Sequence, residues 1–273
     1  MSNLKGKVAV VLGASAEGGT GYAIAEAYAA EGAKVVVGAR SAAALKKVAA
    51  KIGGTAVVCD AGNEADVANL IKVAKDTYGR LDIAVNSAGA TTMGAVADMN
   101  EDLLTQAMKL NYFAHVYFVK HAAKVMEDDG SIILISSLST THPTAPNFAY
   151  AAAKSATDCL VRYAAEEYGH RGIRVNSILP GPIVSDMGKG FLDQPAIQKV
   201  FTREIPLRRM GYPKDFANAC VWLAGPAFIT GANIPVCGGN QLTRFPYIDE
   251  FPGGGSAWEG KGETLYDREH GKS

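Results

Sequence analysis

Long hydrophobic runs are missing from this 273-residue chain. The apolar stretch Val8 to Leu12 passes straight into glycines, is far too short to cross a bilayer and has no small-residue cleavage site after it. Neither a membrane span nor a signal peptide is therefore expected, and the expected compartment is the cytoplasm. An excess of charge of either sign is also missing, since Lys+Arg and Asp+Glu number 27 each. With no net field to draw it to nucleic acid or an anionic membrane, the chain is expected to take a small molecule as its partner. Cysteine is scarce: four residues, with no Cys-x-x-Cys pair and no cluster of ligands beside them. That argues against a disulfide frame and against a zinc site, so no metal is expected and each thiol is expected to be buried and inert. Internal repeats and linkers are absent as well.

What remains is an ordinary globular composition, 48% hydrophobic and 20% charged, in a length that a doubly wound α/β sheet often occupies as one domain. Short β-branched runs recur at Val8 to Leu12, Lys34 to Ala39, Ala56 to Asp60, Leu81 to Asn86, Ser131 to Ser136, Ile173 to Ile178 and Ile234 to Cys237. Between them, apolar residues at three- and four-residue spacing predict helices over Tyr22 to Glu31, Glu64 to Tyr78, Leu103 to Met126, Tyr150 to Tyr168 and Lys214 to Ala224. This alternation predicts an α/β fold, a single-domain, doubly wound, Rossmann-type parallel sheet of about seven strands with helices on both faces. Gly79, Gly130 and the Gly169 to Gly172 stretch follow helices, where left-handed caps are expected. Composition shifts after Gly239, so residues 1–240 form the expected catalytic domain and 241–273 a C-terminal extension rich in aromatics.

The first strand opens into Gly13-Ala14-Ser15-Ala16-Glu17-Gly18-Gly19-Thr20-Gly21, just ahead of a helix. Backbone N–H groups and a helix N-terminus unobstructed by Cβ atoms suit a pyrophosphate, so Gly13, Ser15, Gly19, Thr20 and Gly21 are expected to bind a dinucleotide. The spacing does not meet the Gly-x-Gly-x-x-Gly fingerprint, because Ile24 stands three residues after Gly21. At the end of the second strand, where an NAD-selective site places a carboxylate, the chain has Arg40 and Ser41. An arginine there can pair with a 2′-phosphate, which favours NADP(H) over NAD(H). Glu17 argues the other way if it faces the phosphates.

Tyr150 and Lys154 lie four residues apart in a predicted helix and so share a face. The ammonium is expected to lower the phenol pKa towards neutrality, making Tyr150 a usable acid and base. With Ser137 thirteen positions upstream, the ordered set of glycine loop, Asp60, Asn86-Ser87-Ala88-Gly89, Asn111, Ser137, Tyr150-x-x-x-Lys154 and Pro180-Gly181-Pro182 resembles the short-chain dehydrogenase/reductase family from about Leu4 through Gly239.

The resemblance implies a catalytic set of Asn111, Ser137, Tyr150 and Lys154. Asn111 would kink its helix and hold a water that links Lys154 to solvent; Lys154 would also bond the nicotinamide ribose, and Ser137 would donate to the substrate carbonyl. It further implies that Asp60 with Ala61, and Asn86, Ala88 and Gly89, line the adenosine side, and that Pro180, Gly181, Ile183 and Ser185 receive the nicotinamide carboxamide. Such enzymes exchange a hydride between the nicotinamide and a carbonyl carbon while the tyrosine moves the proton, and relatives are commonly dimers or tetramers.

Two features depart from the pattern. The glycine loop has the length found in the enoyl-reductase branch, yet that branch carries its lysine seven residues after the tyrosine, where this chain has Thr157. Relatives usually have Asp where Cys237 stands. A non-catalytic nucleotide-binding role and an NAD-dependent alcohol dehydrogenase are the alternatives. The loops expected to form the substrate pocket, Leu138 to Asn147 with His142, and about residues 186–212 with Met187, Phe191, Leu192 and Phe201, are mostly apolar. A moderately hydrophobic ketone or secondary alcohol therefore fits better than a sugar or polyanion. The tail aromatics Phe245, Tyr247, Phe251, Trp258 and Tyr266 are expected to border that pocket or a neighbouring subunit.

Overall fold

The computed structural model describes residues 4–185, 190–247 and 250–252. Seven strands, β1 (Val8–Leu12), β2 (Lys34–Ala39), β3 (Thr55–Val58), β4 (Ile83–Asn86), β5 (Ser131–Ile135), β6 (Arg174–Pro180) and β7 (Asn233–Val236), form one sheet in the order β3-β2-β1-β4-β5-β6-β7. Every pairing is parallel, so the strand order reverses between β1 and β4, where a doubly wound sheet opens its ligand crevice.

Strand alternation sorts the core into two layers. Val8, Val10 and Leu12 point to one face, where they meet α3 (Glu64–Tyr78), α5 (Ala114–Val125) and α6 (Phe148–Tyr168). Ala9 and Val11 point to the other, against α1 (Thr20–Ala30), α2 (Ala42–Ile52) and α8 (Pro213–Ala224). Residues two apart share a face, and both faces are covered, which is why these strands read as continuous apolar runs. Completely buried side chains such as Ile24, Leu70, Phe118 and Phe216 each stabilise the fold by roughly 1.5–3 kcal/mol relative to exposure.

The element boundaries differ from expectation in ways with local causes. Helix α2 was not predicted, although Ser41 accepts from Ala44 N–H as its N-cap and Gly53 ends it in the left-handed conformation. Helix α7 (Pro195–Glu204), inside the substrate loop, also went unpredicted. The single helix expected from Leu103 to Met126 is instead α4 (Glu101–Met108), a π turn (Lys109–Phe113) and α5. Gly79 and Gly172 are left-handed caps, but Gly169 is right-handed at φ −59°, and at the α5–β5 connection Asp129, not Gly130, has the positive φ.

Among the thiols, Cys59 and Cys220 are buried, whereas Cys159 is exposed and Cys237 partly so, which corrects the expectation for those two. Among the described residues no helix is long and apolar enough to cross a membrane.

The described residues past 240 pack against the rest of the fold. Asn240 is buried and its amide donates to Glu204 O and Arg244 O. Phe245 and Phe251 pack on Phe201 of α7, with ring centroids 6.5 and 5.2 Å apart, and Phe191 lies 5.9 Å from Phe251. Glu250 accepts from Arg203, Arg244 and the Tyr247 N–H. Met187, Trp258 and Tyr266 lie outside the described residues.

Candidate active site

The glycine loop leaves β1 through Gly13, whose φ is +91° and whose N–H donates to Gly38 O at 2.7 Å. A Cβ on Gly13 would stand 2.7 Å from Ala88 N, and one on Gly21 would stand 2.3 Å from Gly13 O. A larger residue at Gly13 would push the end of β1 away from the β4 turn, and one at Gly21 would push the first turn of α1 away from the end of β1. No side chain caps α1 at Gly19, so its first N–H groups and dipole face the crevice above β1. This side-chain-free cradle fits a dinucleotide pyrophosphate. Ser15, Gly19 and Thr20 are partly exposed along its rim. Glu17 is exposed, and its charge is felt by Lys51 of α2.

The adenosine-side residues gather at the ends of β2, β3 and β4. Arg40 is exposed directly after β2, and among the described residues it has no hydrogen-bond or ion-pair partner. Ser41 beside it spends an acceptor lone pair on the α2 cap. Asp60 accepts from Gly62 N–H through one oxygen, and its own N–H donates to Asp66; Ala61 next to it is buried. Asn86 is committed to the protein: it accepts from Ala88 N–H at 3.0 Å and donates to Ala114 O at 3.3 Å, which ties the β4 turn to α5. Gly89, by contrast, faces the catalytic side, because a Cβ there would lie 2.9 Å from Asn111 Oδ1 and 3.3 Å from Lys154 Nζ.

At the other end of the crevice, Pro180 closes β6 and Gly181 passes close over Cys237, leaving 2.8 Å between an added Cβ and the Cys237 Cβ. Ile183 pairs as a parallel bridge with Gly211, and Val184 N–H donates to Gly211 O, which holds the segment leading to Ser185. A cavity of about 220 Å³ opens here between Pro182, Met210, Phe216 and Cys237.

Four elements bring the catalytic candidates together. Ser137 follows β5 and starts a 3₁₀ turn, accepting from Ser139 N–H at 3.2 Å. Tyr150 sits in the first turn of α6, half-buried, with its phenol close enough to Ser137 for that hydroxyl to favour the phenolate. Lys154 lies one turn on, 3% exposed, with Nζ 5.8 Å from the Tyr150 ring centroid. Asn111 occupies the π turn; its side chain donates to Ala90 O at 2.8 Å and Ala107 O at 3.0 Å and accepts from Ala90 N–H. A mid-helix Asn is tolerated because the β4 loop satisfies its amide.

The expected effect of Lys154 on the phenol is not found in this arrangement. Burial pushes the Tyr150 phenol above its ordinary value, and the Ser137 hydroxyl offsets only part of that. The Lys154 ammonium is bonded elsewhere, to Ile135 O at 2.7 Å and His115 Nε2 at 3.4 Å. Burial lowers the lysine itself to about 8, against the opposing influence of Asp158. His142, considered as a substrate contact, donates from Nε2 to Gln241 O at 3.0 Å, and its Nδ1 lies 2.9 Å from the Thr141 hydroxyl. Two residues of the site escaped sequence reasoning. His115 carries no spacing signal relative to Lys154, and Gln241, which takes the His142 contact and accepts from Cys237 at 2.6 Å, lies where the composition suggests only a tail.

Comparison with known proteins identifies the family. A family model described as Enoyl-(Acyl carrier protein) reductase matches residues 13–241. The 7alpha-hydroxysteroid dehydrogenase of Escherichia coli K12 is 35% identical over 245 residues, which cover 86% of this chain and 94% of that protein. The structure of a short-chain dehydrogenase/reductase from Serratia marcescens superposes with a TM-score of 0.81 at 32% identity, covering 88% of this chain and 99% of that one. A blue fluorescent protein from a metagenomic library, solved in complex with NADPH, gives a TM-score of 0.79 at 33% identity over 87% of this chain and 99% of its own. With the ordered motifs, the parallel seven-stranded sheet and these likenesses in agreement, the chain belongs to the short-chain dehydrogenase/reductase family.

Proposed function

We propose that the protein is an NADP(H)-dependent oxidoreductase that interconverts a moderately hydrophobic ketone and its secondary alcohol, with Tyr150 as acid and base. The observation that carries this reading is the convergence of Ser137, Tyr150 and Lys154 beside a cradle in which Gly13 and Gly21 leave no room for side chains. The cofactor would lie over Gly13 to Gly21, with its nicotinamide against Ile183, and when bound it supplies or accepts the hydride. Tyr150 delivers the proton to the carbonyl oxygen, and Ser137 stabilises the oxygen as charge develops on it. Lys154, charged beside Ile135 O, would hold the nicotinamide ribose, and its positive charge would favour the phenolate once a bound cofactor excludes water from the site.

Arg40 supports the choice of NADP(H), since it is exposed and unpaired among the described residues and no carboxylate stands at the end of β2. Carbonyl chemistry is favoured over enoyl reduction because Lys154 stands one helical turn from Tyr150. Thr157, at the offset where the enoyl branch has its lysine, is buried and bonded to the Asn111 carbonyl. The aromatic cluster of Phe201 on α7 with Phe245 and Phe251 would give the substrate pocket an apolar wall, which suits an apolar substrate. Dimers or tetramers are the proposed assembly, and the cytoplasm the proposed compartment.

A fluorescence titration of the purified protein with NADPH and with NADH, followed by a ketone panel with the tighter cofactor, tests the reading. Tight NADPH binding with ketone turnover is expected. Tight NADH and weak NADPH binding would redirect it to an NAD-dependent alcohol dehydrogenase.

A further inference from the structure

Lys154 has a neighbour that no sequence motif announces. His115 stands at the start of α5, immediately after the π turn, and is completely buried, with its Nε2 3.4 Å from Lys154 Nζ. Its Nδ1 has no protein partner among the described residues. A histidine in such a place is costly: a polar ring is removed from water, one nitrogen is left without a protein partner, and an aliphatic side chain would fill the same layer with nothing to satisfy. Among the described residues the contact with Lys154 is the one polar interaction the ring makes, and Lys154 is the residue that the proposed chemistry most needs in place.

The chemistry of that contact has one consistent form. An ammonium has donors and no lone pair, so Nε2 must accept and the ring proton must sit on Nδ1. A protonated ring would set two cations against each other in a dry interior. Burial, reinforced by the charge of Lys154, holds the imidazole well below its ordinary range, so the ring stays neutral.

We propose that His115 is a positioning residue: its neutral imidazole and the Ile135 carbonyl form a two-acceptor seat that holds the Lys154 ammonium, charged, beneath Gly89 and next to Tyr150. The proposal rests on the oxidoreductase reading for its consequence in turnover, but not for the seat itself. The charged and titratable groups facing the seat are Tyr150 and Asp158 from α6, and His115 from α5. The Asn111 amide and the Ile135 carbonyl complete it from the π turn and β5. Asp158 favours the ammonium by charge and His115 by direct acceptance. Loss of the imidazole leaves Lys154 with one close acceptor in a buried site, and its proton is then released at lower pH.

The test has two independent parts. In the cofactor-free full-length protein, long-range ¹H–¹⁵N NMR of the imidazoles should show His115 as the Nδ1–H tautomer, unprotonated from pH 6 to 8, with its Nε2 resonance moving in Lys154→Met. An Nε2–H tautomer, or a ring that does not respond to Lys154→Met, overturns the seat. In turnover with NADPH and an accepted ketone, the alkaline limb of the kcat/KM profile should move to lower pH by roughly one unit in His115→Leu and return in His115→Gln, which keeps an acceptor. A limb that stays put in a folded His115→Leu overturns the role in catalysis. Absence of NADPH- or NADH-dependent turnover by the wild type across ketone and alcohol panels would defeat the oxidoreductase reading while leaving the NMR result standing, so the two failures are distinct.

Discussion

The Thr157 hydroxyl donates to the main-chain carbonyl of Asn111 at 2.6 Å, so a buried residue two turns into α6 pins the π turn that interrupts the helix before it. A π turn frees one backbone carbonyl from the helical ladder, and here a side chain from another element takes it. Thr157→Val keeps the volume and removes the donor. The substitution should cost about 1–3 kcal/mol, read from urea unfolding, and should lower kcat more than it weakens NADPH binding, because Asn111 and Lys154 share that corner. An unchanged unfolding midpoint would mean that the π turn stands without Thr157.

Cofactor choice is assigned to Arg40. Replacement by Asp removes a charge-assisted partner for the 2′-phosphate and supplies an acceptor for ribose hydroxyls. The ratio of NADPH to NADH affinity should fall by roughly 10- to 100-fold, measured by paired fluorescence titrations. If the ratio does not move, Arg40 is not the phosphate reader.

The tail packs on α7, and through it is proposed to border the substrate pocket. Truncation after Asn240 removes Phe245 and Phe251 from Phe201, Glu250 from Arg203, and Gln241 from His142. The expected result is a higher KM for the ketone with little change in kcat. A fall in Tm of several degrees should accompany it, at roughly 2–4 °C per kcal/mol for a chain of this size. Wild-type kinetics and melting in the truncated protein would make the tail an appendage.

Acid stability should depend on Asp82, a buried carboxylate just before β4. Burial opposes its charge, but bonds from Arg80, Val8 N–H and Lys7 outweigh that and hold the carboxyl below its usual range. Because the folded value is depressed, the contribution is fully present above the usual carboxylate range and fades as pH falls through the folded value. Asp82→Asn should therefore lose about 1–3 kcal/mol at pH 7 and converge with the wild type in acid, as followed by urea unfolding across pH. A constant difference at all pH values would contradict this.

Much of this molecule could be read from the chain. The seven strands lie within two or three residues of their predicted ends because both faces of the sheet are buried, leaving uninterrupted β-branched runs. That Tyr150 and Lys154 share one helix was legible from their four-residue spacing. The π turn was illegible in the periodicity of Leu103 to Met126, since the groups that stabilise it, Thr157 and the Ala90 backbone, come from distant segments. The orientation of Lys154 was missed for a similar reason: helical spacing puts it on the face of Tyr150, but His115 and the Ile135 carbonyl decide where its ammonium rests.

Turnover of Tyr150→Phe, measured beside its NADPH affinity, tests the central claim most directly. Phenylalanine keeps the ring and removes only the hydroxyl, so NADPH should bind almost as in the wild type while ketone reduction falls by roughly 10²- to 10⁴-fold, the range lost with a positioned acid or base. Turnover that survives the loss of the hydroxyl would contradict the assignment of Tyr150 as the proton donor and the account built on it.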